Sequence, residues 1–276
     1  MLIVELNNKE VVKSNADAFL IGVEGFSSEC YHHYSVEEVQ EIIKDIKKEQ
    51  KKAFIDLTNV FHDHDLKNVE ELIQTLNNVD GFFYFDLGIM NLIERKKRVY
   101  YAPTYVTNQH DLSIVKEENE LVLVSPELSL KELEHIEYDN QTLSLAFGPW
   151  EIFHSRRPLI SNYFKYRATE YDNNAKYHVI EEFRNDYYPI VEKNGTKIFL
   201  NGYYYLGNKI KNKSTNLLLK TFDLTSELVI KVVELHKNYL NNELDDLDNE
   251  LKRLGIELNR GLLFEESILR KGGNNE

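Results

Sequence analysis

Thr142-Leu143-Ser144-Leu145-Ala146-Phe147 runs into Gly148-Pro149-Trp150, and at this junction the chain changes character. Upstream, short apolar runs alternate with segments of helical period. Working backwards, the strand-like runs are Leu121–Val124, Arg98–Ala102, Gly81–Asp86, Ala53–Leu57, Ala18–Val23 and Leu2–Leu6. Gly81–Asp86 is apolar on both faces, as a buried parallel strand should be. Downstream, Lys165 to Lys213 is rich in Tyr, Asn and charge, until Asn216–Phe222 restores the pattern. Eight strands alternating with helices predict an α/β fold, a (β/α)8 TIM-like barrel with an insertion after strand seven. The expected division is 1–147 for seven βα units, 148–215 for the insertion, 216–260 for the last strand and a long helix, and 261–276 for a partly disordered tail.

The helices announce themselves by their starts. Ser35-Val36-Glu37-Glu38 and Ser129-Leu130-Lys131-Glu132 have the form of capping boxes. Asp65 is positioned to cap the helix whose inner face is Leu66, Val69, Leu72, Ile73 and Leu76. Gly88–Ile93 reads as a short helix, and a long one begins near Thr225. Inside the insertion, Leu159–Phe164 and Thr196–Leu200 read as strand-like runs, and after the long helix Asn241–Glu250 reads as an acidic polar segment.

The net charge is −13, from 33 basic and 46 acidic residues. Such a surface repels phosphate backbones, so nucleic acid would need a local basic patch. The candidates are Arg95–Arg98, Arg156-Arg157 and the lysines 209, 211 and 213. No apolar run approaches the roughly 18 residues of a membrane span, and the N-terminus lacks the basic region of a signal peptide. Cys30 is the single cysteine. A cytoplasmic protein without disulfides is expected.

Barrel active sites lie at the C-terminal ends of the strands. That rule gathers Glu24, Asn59, His62, Asp86, Thr104, Glu127, Trp150, Arg157 and Lys220 at one mouth. Arg156 and Arg157 are suited to gripping a carboxylate or phosphate; the plainer alternative is a salt bridge to Glu127 or Asp86. Asn162 and Tyr163 serve as ligand contacts or as satisfied structural groups. His62-Asp63-His64-Asp65 has metal-binding residue types, but alternate loop residues often point apart, so His62 and His64 are weak candidates and no metal is assigned. Cys30, near His32 and His33, reads as an incidental loop cysteine rather than a nucleophile. The Tyr203-Tyr204-Tyr205 run suits stacking on bases or, equally, covering the barrel or a partner, and with this charge a protein surface is preferred over RNA.

The sequence resembles the collagenase-like peptidase family of unassigned catalytic type, number thirty-two. The residues that carry the resemblance are Ala16–Gly22, Asp86-Leu87-Gly88, Thr107-Asn108, Glu127–Leu130, and the positions Ser155, Arg157, Leu159 and Ser161. The chain departs from the family pattern where Phe147 replaces a usual histidine and where Glu151 and Pro158 replace cysteines. In several members those cysteines belong to an iron–sulfur cluster used to hydroxylate a tRNA wobble uridine. Asn162-Tyr163-Phe164, Asn194-Gly195-Thr196 and Leu263–Glu266 resemble the short, cysteine-poor paralogue of Gram-positive bacteria. The resemblance implies an accessory subunit with no cofactor of its own, a pseudoenzyme paired with a longer cysteine-bearing relative and reaching tRNA only through that complex. The alternatives are a hydrolase with Glu127 and Arg157 as catalytic residues, and a binding protein for a small anionic ligand. Its ligand contacts would be Arg156, Arg157, Asn162, Asn59, Asp86 and Trp150.

Overall fold

The computed structural model describes residues 1–265, apart from 174, 183–185, 194 and 213–215. Lys213, Asn194, Glu266 and the expected disorder after residue 265 therefore lie outside the described residues. The first strands are β1 (Leu2–Glu5), β2 (Ala18–Val23), a two-residue β3 (His33–Tyr34), β4 (Lys52–Asp56), β5 (Gly81–Tyr84), β6 (Arg98–Tyr100), β7 (Leu121–Val124) and β8 (Thr142–Gly148). The chain continues through β9 (Glu151–Ser155), β10 (Tyr177–Glu181), β11 (Asp186–Glu192), β12 (Thr196–Phe199), β13 (Tyr203–Tyr205), β14 (Asn216–Leu219) and β15 (Leu258–Asn259). Strands β1, β2, β4, β5, β6, β7, β8 and β14 pair in that order, all parallel. The β14–β8 pairing, also parallel, closes the ring. This is the expected eight-stranded α/β barrel.

The helices are α1 (Val36–Lys48), α2 (Leu66–Thr75), α3 (Gln109–Lys116), α4 (Leu130–Leu133), α5 (Leu159–Arg167), α6 (Ser226–Leu240) and α7 (Leu247–Arg253). Both capping boxes form, at Ser35 with Glu38 and at Ser129 with Glu132. Between β5 and β6 the connection is made of 3-10 turns over Leu87–Leu92 and Arg95–Lys97. The basic run there is spent locally: Arg95 donates to the Glu117 carbonyl and Arg98 ion-pairs with Glu118 at 3.1 Å. Among the described residues no helix is long and apolar enough to cross a membrane.

Residues beyond β8 build a second sheet, with antiparallel order β10-β11-β12-β9. Gly148 makes the exit from the barrel. Its φ is +129°, and a Cβ there would sit 2.6 Å from the Lys220 backbone oxygen, so only glycine lets β8 approach β14 so closely. Strand β13 returns antiparallel against the end of β8.

Four sequence readings are corrected. Leu159–Phe164 is not a strand but the start of α5. The Glu192 carboxylate, on distant β11, accepts from the amides of Ile160 and Ser161 and satisfies the helix start. Asp65 precedes α2 but does not cap it with its side chain, which accepts from the His62 amide at 2.8 Å. The polar segment 241–250 contains the start of α7, anchored by buried Leu247 and Leu251. The Tyr203–Tyr205 run is not a stacking surface: Tyr204 and Tyr205 are buried, and Tyr203 stacks on Phe147.

Helix α6 packs a histidine into the core. His236 is fully buried, its Nδ1 donates to the Val232 carbonyl at 2.7 Å, and its ring edge meets Phe147. No partner reaches Nε2 among the described residues. Burial lowers its pKa to about 4 from 6.5, the carbonyl bond opposing weakly. Below pH 6.5 the unfolded chain takes up a proton that the fold excludes, so stability falls with pH until about pH 4. The loss should approach ~3 kcal/mol, at 1.36 kcal/mol per pKa unit. Chemical denaturation of wild type and His236→Leu across pH 4 to 7 checks this: the variant should lack that part of the acid-dependent loss.

A candidate site at the C-terminal end of the barrel

Apolar barrel strands end here in charge. Glu5 closes β1, Asp56 closes β4 and Lys220 follows β14, all buried. The loop after β2 brings Glu29 between them, and the inserted sheet lowers Lys197 from β12 and Glu151 from β9. The Glu29 carboxylate bridges Lys220 at 2.6 Å and Lys197 at 3.2 Å. Lys197 also reaches Glu151 at 2.5 Å and donates to the Ser28 carbonyl at 2.6 Å. Lys220 lies over the Tyr101 ring, 6.0 Å from its centroid.

The loop that carries Glu29 is held by Asp56, which accepts from the amides of Glu29 (3.1 Å) and Cys30 (2.7 Å), and from the Thr58 hydroxyl (2.5 Å). Glu5 accepts from the amides of Tyr31 at 2.6 Å and Thr221 at 2.9 Å. Two strand-end carboxylates thus fix two loops by backbone hydrogen bonds.

Burial opposes charge on Glu29, yet Lys197 and Lys220 outweigh it and hold the carboxyl well below its usual range. Burial likewise works against both lysines; the neighbouring carboxylates overcome it and raise them. A general acid or base works best with a pKa near the operating pH. These three groups are driven away from neutrality, so they are locked ions rather than proton carriers. Glu5 is raised by burial against the pull of Lys220, but each of its oxygens already accepts an amide.

Above the cluster lies a small hollow of about 30 Å³ lined in part by Glu29, Lys197 and Lys220, enough for a water or two. It shares Tyr31, Pro149, Val191, Phe199 and Phe222 with an outer cavity of about 520 Å³ beneath the inserted sheet. That cavity is within the size range of small-molecule pockets.

The residues singled out in the sequence scatter around this centre. Only Lys220 belongs to the cluster. Asn59, His62 and Arg156 line a separate cavity of about 460 Å³. Asp86 is a structural tie, accepting from the amides of Phe61 at 3.0 Å and Gly88 at 2.8 Å. Trp150 is buried edge-on to Tyr204 and lines none of these cavities, so it is core rather than a ligand contact. Glu127, Arg157 and Asn162 are exposed and also outside them. Among the described residues, neither Glu127 nor Asp86 pairs with an arginine, which removes the salt-bridge alternative. His62 and His64 stack at 5.3 Å, but among the described residues no group of three or more metal-type ligands is assembled. Cys30 is buried rather than in an open loop; burial raises its thiol, and His33 meets its carbonyl instead of its sulfur.

The sequence did carry a signal for two missed residues, Glu5 and Asp56, and the same signal for Lys220, which the barrel rule already places at the mouth. Glu5, Asp56 and Lys220 each end a run of buried apolar strand residues, where an ion has no place unless partners converge on it. Nothing local marked Glu29 or Lys197.

Glu29→Gln should strip Lys220 of its carboxylate and destabilise the fold by ~3 kcal/mol, the cost of breaking a buried pair from one side. Adding Lys220→Met to that variant should restore part of the loss. Glu127→Gln, on an exposed side chain, should stay within about 0.5 kcal/mol of wild type. Urea denaturation at neutral pH measures all four proteins.

The described fold has known counterparts. The solved structure entitled The Structure of the U32 Peptidase Mk0906 superposes with a TM-score of 0.50, covering 81% of this chain and 94% of that one at 10% sequence identity. This likeness is one of fold. None of the curated proteins matches the chain in sequence. The family model described as Peptidase family U32 matches residues 6–231, from just after β1 through the rest of the barrel strands, the inserted sheet and the first part of α6. The chain therefore belongs to peptidase family U32.

Proposed function

We propose that this chain is a cluster-free accessory subunit for tRNA wobble-uridine hydroxylation, docked on a longer, cysteine-bearing relative. The observation that supports this reading is where its apolar surface lies. Of twelve exposed large hydrophobic residues among those described, seven are in the inserted subdomain: Ile152, Phe153, Tyr163, Tyr166, Val179, Ile180 and Tyr187. Phe153 and Val179 share one face of the inserted sheet, while Ile180 and Tyr187 lie on the other; exposed apolar residues on one sheet face suit a partner surface. The locked state of Glu29, Lys197 and Lys220 speaks against proton transfer by those three groups. A thiolate-bound iron–sulfur cluster does not fit, since Cys30 is the only cysteine and burial keeps it a thiol. Glu151, which stands where the resemblance places a cluster cysteine, is bound to Lys197 instead.

Deleting the gene in a cell without a parallel hydroxylation route should abolish 5-hydroxyuridine in tRNA, read by mass spectrometry of digested tRNA. Wild type should rescue it and co-purify with the relative; Phe153→Glu with Val179→Glu, which share one face of the inserted sheet, should do neither. Unchanged hydroxylation in the deletion strain overturns the reading.

A hydrolase is the second reading: the 520 Å³ cavity lies at the end of the barrel where such sites are built, though Glu127 lies outside it. It requires the purified chain to cleave a peptide or gelatin and Glu127→Gln to abolish cleavage. Cleavage that Glu127→Gln leaves intact removes Glu127 from that role.

A further inference from the structure

We propose that the cavity bounded by Arg156 and the loops after β2 and β4 binds the phosphate group of a nucleotide. This site is distinct from the ion cluster and does not depend on the accessory-subunit reading.

The walls of this 460 Å³ cavity include Phe26, Asn59, Phe61, His62, Asn68 and Arg156. Arg156 leaves the inserted sheet just after β9 and places its Nη2 against His62 Nε2. A guanidinium only donates, so Nε2 must present its lone pair and the imidazole proton sits on Nδ1. His62 takes up one of five guanidinium N–H groups without neutralising the charge. Among the described residues, no carboxylate pairs with Arg156, although the chain has 46 acidic residues.

The remaining polar groups on the wall favour an anion. Asp65 is the only carboxylate there and faces its own loop: Oδ2 accepts from the His62 amide, and Oδ1 lies 3.5 Å from His64 Nε2. Asn59 accepts from Val60 through Oδ1 and donates once, to the Gly25 carbonyl, leaving a second N–H. The Asn68 side chain makes no hydrogen bond among the described residues. The free N–H groups of Arg156, Asn59 and Asn68 outnumber the free side-chain acceptors of the wall, of which Asn68 Oδ1 is one, and among the described residues lining it Arg156 is the one arginine, with the planar fork that suits phosphate.

Two rings extend the argument from a phosphate to a nucleotide. Phe26 and Phe61 lie 6.4 Å apart at 42° on the same wall, both half-buried. They offer an apolar face against which a base can stack while Arg156 holds the phosphate. The volume suits a small ligand, and the net charge of −13 disfavours a long polyanion.

Calorimetric titration of the full chain with AMP, adenosine and a short single-stranded oligonucleotide tests the site. AMP should bind, and Arg156→Ala should weaken it about tenfold, the loss of a charge-assisted contact. Arg167→Ala, an exposed arginine on α5 whose loss changes net charge equally, should stay within about twofold. Circular dichroism verifies that both variants fold. An oligonucleotide that competes with AMP and shows the same Arg156 dependence supports the site with a chain-borne phosphate as its source. AMP binding alone supports it with a free nucleotide. Adenosine binding as tightly as AMP, an equal loss in both arginine variants, or no AMP binding at millimolar concentration overturns the proposal.

Discussion

One carboxylate, Glu29, holds the functional end of this molecule together. Its two oxygens reach lysines from opposite parts of the structure, Lys220 at the end of the last barrel strand and Lys197 in the inserted sheet. The loop after β2, the closing strand and the insertion therefore meet at one buried charge. A pair of ions in a low-dielectric site stands only if each is compensated, and well-packed apolar residues often give equal or greater stability. What the ions add is direction. An apolar contact tolerates sliding, whereas a bridged carboxylate fixes the two lysines to within a hydrogen bond, and with them the tilt of the sheet over the barrel.

The same reasoning explains why the barrel was legible and the site was not. Eight apolar runs, each of strand length and bounded by turns or capping boxes, allow little besides a closed parallel barrel, and all eight appear where periodicity placed them. Helix α5 was misread because its start is satisfied by Glu192 from a strand some thirty residues on, a partner that no local rule can supply. The site failed for a related reason. Exposed polar residues such as Glu127 and Arg157 stand out through the family signature, while the converging ions come from six separate segments. Glu5, Asp56 and Lys220 were visible as charges at the ends of apolar strands, yet only their tertiary neighbours show what they hold.

The distribution of unpaired charge separates the two faces of the barrel mouth. At the ion cluster the lysines are consumed by Glu29 and Glu151, and each raised or lowered pKa records that consumption. Beside it, among the described residues, Arg156 meets only an imidazole. A chain with thirteen more acids than bases has carboxylates in excess, so leaving a guanidinium without one is not a matter of supply. The neighbouring acid that could have neutralised it, Asp65, is instead committed to its own loop. Arg156 is exposed, so its remaining N–H groups face solvent rather than a carboxylate; on the proposal above, a ligand anion would take that place, which the compensated cluster leaves no lysine free to offer.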